Sequence, residues 1–428
     1  MNVSLFKVCT QVSIIWLFFL QHAATVSSFK PQFRPLTQIS SDIGNLVGKI
    51  VVLIPGFVGT SLEQKWDKVT DHWYCSSTRD WNLSWLSFSA FLPDTVNCWV
   101  SNFEAECDWH LQQCFSSTGV ETRPIGDYLN GDTYACEHIN PGFKWKTGYM
   151  YMFIETLHQL GMKRGESVFA LPYDFRHSVA LNRHSLHDRL KDLTETAYYK
   201  NNNSPVVLLA HSMGGLLTAD FLARQPSDWK AKFVKRFIAA GAPFGGSPGV
   251  YHNIVVGENY GLPTLSIDLS KRLFDKWTSV ATLSPRSFLY GDEVLASIDD
   301  VEYSASNISQ MYRRSDVSAH SQAEFLNWNI FAVEPEASPG VNVTLIGSTD
   351  IQVPRRYHFS SLEKGGFIST VDKFSRGDGT VEVDSMIEIA KHWQKHQVEP
   401  ITWVPMKGVS HADYFMNPSF VEKLIQLL

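Results

Sequence analysis

Six short runs of this chain are dominated by apolar residues without strict alternation: residues 49–54, 167–171, 206–210, 234–239, 343–346 and 401–404. A strand with one face in water alternates polar and apolar positions, whereas a strand covered on both faces does not, so these runs predict buried parallel strands. Between them, Phe153, Leu157 and Leu160, and then Leu186, Leu190, Leu193 and Ala197, recur at helical spacing. Near the end of the chain, Asn417 and Pro418 precede Val421, Leu424, Ile425 and Leu428. That is a cap residue, a proline suited to the first turn, and one apolar helix face. Buried strands alternating with amphipathic helices predict an α/β fold, a sheet with helices on both faces.

The first 28 residues follow a different pattern. Lys7 precedes the apolar run 14–20, and the small residues Ala23, Ala24, Ser27 and Ser28 come next. The run is too short to span a bilayer, so residues 1–28 read as a secretory signal peptide. Residues 29–428 then form the mature domain, destined for the extracellular space, a lysosome or a vacuole. The sequons at Asn82, Asn202, Asn307 and Asn342 agree with that route. Cys75, Cys98, Cys107, Cys114 and Cys136 lie beyond the signal peptide. Five thiols in an oxidising compartment allow up to two disulfides and leave one free or intermolecular. A net charge of −6, with no basic stripe, argues against nucleic acid as a partner. No metal-type cysteine pairing appears, and neither a metal nor another cofactor is expected.

The run 206–210 leads into His211, Ser212, Met213, Gly214 and Gly215. A serine between small residues at a strand-to-helix corner is a nucleophile elbow, here with Ala210 where the G-x-S-x-G pattern has its first glycine. A nucleophilic serine needs a base and a carboxylate that orients the base, following in the order Ser, Asp, His on an α/β-hydrolase sheet. Asp378, between Gly377 and Gly379, and His411, after the last predicted strand, satisfy that order. Asp350, Asp372 and Asp384 are the competing acids, each without flanking glycines. The oxyanion formed in acyl transfer needs preorganised N–H donors. The residue after the nucleophile, Met213, supplies one, and Phe57, in the loop of Pro55, Gly56 and Gly59, supplies the second.

These stretches together resemble the lecithin:cholesterol acyltransferase family. The resemblance rests on Pro55, Gly56, Gly59, Leu62 and Glu63; on Cys75, Cys98 and Trp99; on Pro172, Tyr173, Asp174 and Arg176; on the elbow; on Gly241, Ala242, Pro243, Gly245 and Gly246; and on Gly377 to Val381. It implies an α/β-hydrolase fold with a membrane-binding subdomain at 61–120, closed by a disulfide between Cys75 and Cys98, and a cap or lid insertion at 247–340. The implied activity is that of a phospholipase A and O-acyltransferase. Ser212 would take an acyl group from a membrane glycerophospholipid and pass it to water or to an alcohol, sterols included. The implied partner is a phospholipid membrane or lipoprotein surface. Trp81, Leu83, Trp85, Leu86 and Phe88, between the two cysteines, are the candidate lipid-facing residues, since aromatic and apolar side chains favour a bilayer interface. Some of these rings are also expected to form a small core beneath the disulfide. Phe175 and Phe244 stand where the family usually has tryptophan. No cysteine follows Cys136, so the downstream disulfide of the sterol-acylating branch has no counterpart, which favours the phospholipase and transacylase branch. A neutral-lipid lipase and a catalytically silent lipid carrier of the same fold are the alternatives.

Overall fold

The computed structural model describes residues 46–428, except 47, 71, 109, 110, 112, 145, 146, 260, 261, 263, 316–336 and 364. The predicted signal peptide and part of the predicted 247–340 insertion lie outside the described residues. All six predicted strands form, and all six join one sheet. Its order is Ile401–Met406, Val343–Ser348, Val234–Ala240, Val206–His211, Val51–Ile54 and Val168–Ala170, with every neighbouring pair parallel.

The absence of alternation has a direct structural cause. Successive side chains of a strand point to opposite faces. Val52, Ile54, Leu208 and Ala210 enter a core shared with Leu186, Leu190, Leu193 and Ala197 of the helix Arg183–Lys200. Val51, Leu53, Val207 and Leu209 enter a second core with Phe153 and Leu157 of the helix Tyr151–Gln159, and with Val421, Leu424 and Ile425 of the helix Pro418–Leu427. Each such buried aliphatic side chain contributes roughly 1.5–3 kcal/mol. The final helix is capped as its sequence predicts, Asn417 accepting from the N–H groups of Ser419 and Phe420. Among the described residues, no helix is long and apolar enough to cross a membrane.

A second sheet, with the order Val301–Ser304, Val294–Ile298, Ile351–Ser361 and Phe367–Gly377, was not predicted. Its alternation is interrupted, because the pairing of the two long strands shifts register around Pro354, Arg356 and Tyr357. Val353, Tyr357 and Phe359 are buried, while on the outer surface Arg356 pairs with Asp372 and His358 lies against the same carboxylate. The hairpin leaves the central sheet after Val343–Ser348 and returns at Gly377, where Asp378 forms a bridge with Ile351.

The segment 61–120 contributes two strands, Leu62–Asp67 and Thr78–Trp85, to a three-stranded sheet completed by Val120–Pro124, together with the helix Val96–Phe103. Disulfides join Cys75 to Cys98 and Cys107 to Cys114, leaving Cys136 free and buried. The lipid-facing reading needs correction at Trp85, which is only 6% exposed. Its indole N–H donates to the Val58 carbonyl at 3.0 Å, and its ring stacks on Trp99 and Phe103. An indole with its one donor satisfied and both faces covered belongs to a core. Leu83, Leu86 and Phe88 are half-buried, and Trp81 is held between Lys65 and Arg123. Among the described residues here, Val69 and Trp73, in the loop between the two strands, project fully into solvent, at 93% and 95% exposure. They lie just before Cys75, outside the stretch between the cysteines.

Candidate active site

The elbow is built by backbone strain at one residue. Ser212 connects the strand Val206–His211 to the helix Met213–Arg224 with φ 52° and ψ −127°, a conformation that side chains other than glycine rarely adopt. The corner is held by the Ser212 N–H, which donates to the Ala240 carbonyl of the adjacent strand at 2.9 Å. Gly214 faces the first strand so closely that a Cβ there would lie 2.4 Å from the Pro55 carbonyl oxygen, so only glycine fits.

His411 lies on a short turn after the strand Ile401–Met406. Its Nε2 is 3.0 Å from Ser212 Oγ and its Nδ1 is 2.7 Å from Asp378 Oδ2. The His411 N–H also donates to the Asp378 carbonyl at 2.9 Å, tying the two loops together. The Asp378 carboxylate is buried and accepts four hydrogen bonds. Oδ1 receives the N–H groups of Thr380 (3.0 Å) and Val381 (2.7 Å), while Oδ2 receives His411 and the Tyr414 hydroxyl (2.7 Å). Burial alone would favour the neutral acid, but the attraction of His411 and these donors outweigh it and hold the carboxyl below its ordinary value. Burial and the neighbouring Asp378 push Tyr414 well up, so it stays a donor. An ionised Asp378 keeps the proton of neutral His411 on Nδ1, which leaves Nε2 open to accept the serine proton.

The structure brings Ser212, His411 and Asp378 together, and it places the competing acids elsewhere. Asp350 accepts from the Gly408 N–H, and Asp372 pairs with Arg356 and His358. Tyr414 at this site escaped the sequence reading; the available signal is its position one turn beyond His411. Gly241, read there only as part of the family pattern, packs against it: an added Cβ would lie 3.1 Å from Asp378 Oδ2 and 2.5 Å from the Tyr414 ring. The two residues expected to stabilise the oxyanion are suitably free. Neither the Phe57 nor the Met213 backbone N–H meets an acceptor among the described residues.

The Phe57 ring meets Phe175 and Trp277 edge-on, at 5.6 and 6.0 Å, and both of those rings touch Trp85. The loop that carries Phe57 therefore rests on an aromatic cluster shared with the segment 61–120. Arg176 fastens that segment to the hydrolase body. Its fully buried guanidinium pairs with Asp174 at 2.6 Å and donates to the Phe103 and Glu104 carbonyls and to Ser116 Oγ.

Comparison with known proteins agrees with this geometry. The lecithin:cholesterol acyltransferase family pattern matches residues 82–345. The chain belongs to that family. It is 30% identical to the phosphatidylcholine-sterol acyltransferase of Papio anubis, over 92% of this chain and 88% of that protein. It is 28% identical to the lysosomal phospholipase A and acyltransferase of Homo sapiens, over 88% of this chain and 90% of that one. Among solved structures, a chain of the Tle4–Tli4 complex shares the fold, with a TM-score of 0.50 at 11% identity, over 89% of this chain and 98% of that chain. The family member described here thus combines an α/β-hydrolase sheet with an aromatic inserted segment.

Proposed function

We propose that this protein cleaves an acyl ester of a membrane glycerophospholipid through an acyl-serine intermediate and transfers the acyl group to water or an alcohol. The observation that carries this reading is the unbroken hydrogen-bonded series from Ser212 through His411 to Asp378, in a chain of this family. Ser212 Oγ attacks the acyl carbonyl while His411 Nε2 takes its proton. The Phe57 and Met213 N–H groups receive the developing oxyanion. His411 then gives its proton to the departing lysophospholipid oxygen, leaving the acyl group on Ser212. Water or an alcohol enters, loses its proton to His411, and takes the acyl group as the serine proton returns. A catalytically silent carrier would need no such series, and its presence favours the enzyme.

Product analysis by mass tests this. Phosphatidylcholine vesicles, with and without sterol and short-chain alcohols, are expected to yield lysophospholipid in equal amount to fatty acid plus acyl ester. Cleavage of triacylglycerol in preference to phosphatidylcholine would instead identify a neutral-lipid lipase.

The predicted signal peptide and the two disulfides support passage through the secretory route. Val69 and Trp73 support docking on lipid by the loop beside Cys75, a surface that replaces Trp85 in that role. At roughly 1.5–3 kcal/mol per buried apolar side chain, Trp73→Ser with Val69→Ser should weaken vesicle binding at least tenfold. Turnover of a soluble short-chain ester should stay unchanged. Flotation assays and ester kinetics check this, and equal losses in both would assign the loop a structural role instead.

A further inference from the structure

Tyr149 precedes the helix Tyr151–Gln159, far from the elbow in sequence, yet its hydroxyl lies beneath the oxyanion loop. The Gly56 N–H donates to Tyr149 Oη at 3.0 Å, and the same oxygen is 2.7 Å from His211 Nδ1. The direction of this series follows the tautomer of His211 that carries its proton on Nε2. The hydroxyl oxygen accepts from Gly56, and among the described residues its proton has no acceptor other than His211 Nδ1. Burial and the nearby His411 push the His211 imidazole well below its ordinary range, which keeps the ring neutral, and with its one proton on Nε2 the Nδ1 atom accepts from the hydroxyl.

The loop is shaped around this ring. A Cβ at Gly59 would lie 2.7–3.0 Å from Cε1, Cζ and Oη of Tyr149. At Gly56 it would lie 2.7 Å from Ser212 Cβ and 3.2 Å from His211 Nδ1. The Gly56 carbonyl accepts from the Gly59 N–H at 3.1 Å. A planar trans peptide points its carbonyl and its N–H in opposite directions. Anchoring the Gly56 carbonyl inside the loop therefore turns the Phe57 N–H outward, where it meets no acceptor.

We propose that Tyr149 and His211 are positioning residues. The series from the Gly56 N–H through the Tyr149 hydroxyl to His211 holds the Gly56–Phe57 peptide so that its N–H faces the reacting carbonyl. His211 also links the two halves of the site, its ring lying 4.7 Å from that of His411. Neither residue touches the substrate. This rests on the reading of Ser212 as nucleophile and Phe57 as oxyanion donor.

A thiono ester, whose sulfur is a poor hydrogen-bond acceptor, distinguishes loss of this alignment from general damage. The wild type should turn over a soluble short-chain ester much faster than its thiono analogue. Tyr149→Phe should lower kcat on the oxygen ester about tenfold or more, a part of the 10²–10³ that a whole donor is worth, with KM nearly unchanged. It should affect the thiono ester far less, so the oxygen-to-sulfur ratio shrinks. His211→Phe should do the same, and His211→Gln, which keeps an acceptor for the hydroxyl, should recover most of the ratio. A wild-type ratio in Tyr149→Phe overturns the inference. If that variant does not fold, equal ratios in the wild type and His211→Phe overturn it as well. Turnover surviving Ser212→Ala would defeat the underlying reading instead, a separate result.

Discussion

Ser212→Ala is expected to lower phosphatidylcholine turnover by about 10⁵–10⁶-fold and to abolish covalent labelling by a fluorophosphonate. The size follows from the chemistry. Without Oγ there is no acyl-enzyme, and what remains is only the catalysis that binding and the oxyanion donors give to direct attack by water. Folding should survive. The strain at the elbow lies in the backbone, at φ 52°, and the bonds that hold the corner are the Ser212 N–H to Ala240 and the Gly215 N–H to the Ser212 carbonyl. Alanine keeps all of these and loses only the 3.0 Å contact with His411. Thermal unfolding should therefore stay close to wild type while both hydrolysis and acyl transfer vanish. Hydrolysis and transfer rest on one intermediate, so a Ser212→Ala protein that lost transfer but kept hydrolysis would mean that water attacks the lipid without Ser212.

The central sheet was legible because its strands are buried on both faces, which leaves a run of apolar residues that no surface element imitates. The second sheet was not, because a register shift beside Arg356 breaks its alternation and its outer face carries ions. Ser212, Asp378 and His411 could be read from chain order and flanking glycines, since strand ends on such a sheet have fixed places. The groups behind them could not. Tyr149 reaches Gly56 across 93 positions, a meeting made by packing and recorded in no local pattern. Trp85 shows the opposite failure. Its composition suits a bilayer interface and a protein core equally well, and only its partners Val58, Trp99 and Phe103 decide between them.

Asp378→Asn should lower kcat by about 10⁴-fold with little change in KM. The reason lies in the four donors that surround the carboxylate. The N–H groups of Thr380 and Val381 both point at Oδ1, so the amide oxygen of asparagine must take that place. The amide NH₂ then faces Nδ1 of His411 and the Tyr414 hydroxyl, where Oδ2 had accepted from both. An NH₂ donating to Nδ1 forces the imidazole proton onto Nε2, the nitrogen that must accept from Ser212. The base would be present in the wrong tautomer. Stability gives an independent reading of the same group. Asp378 has a folded value below that of an unfolded aspartate, so the stability it contributes is fully present above the unfolded value of about 3.9 and is lost as pH falls through the lower folded one. Asparagine cannot titrate. The gap in melting temperature between wild type and Asp378→Asn should therefore be constant near neutral pH and narrow below about pH 4. A variant that keeps kcat within tenfold of the wild type would remove Asp378 from the orienting role and reopen the choice of acid.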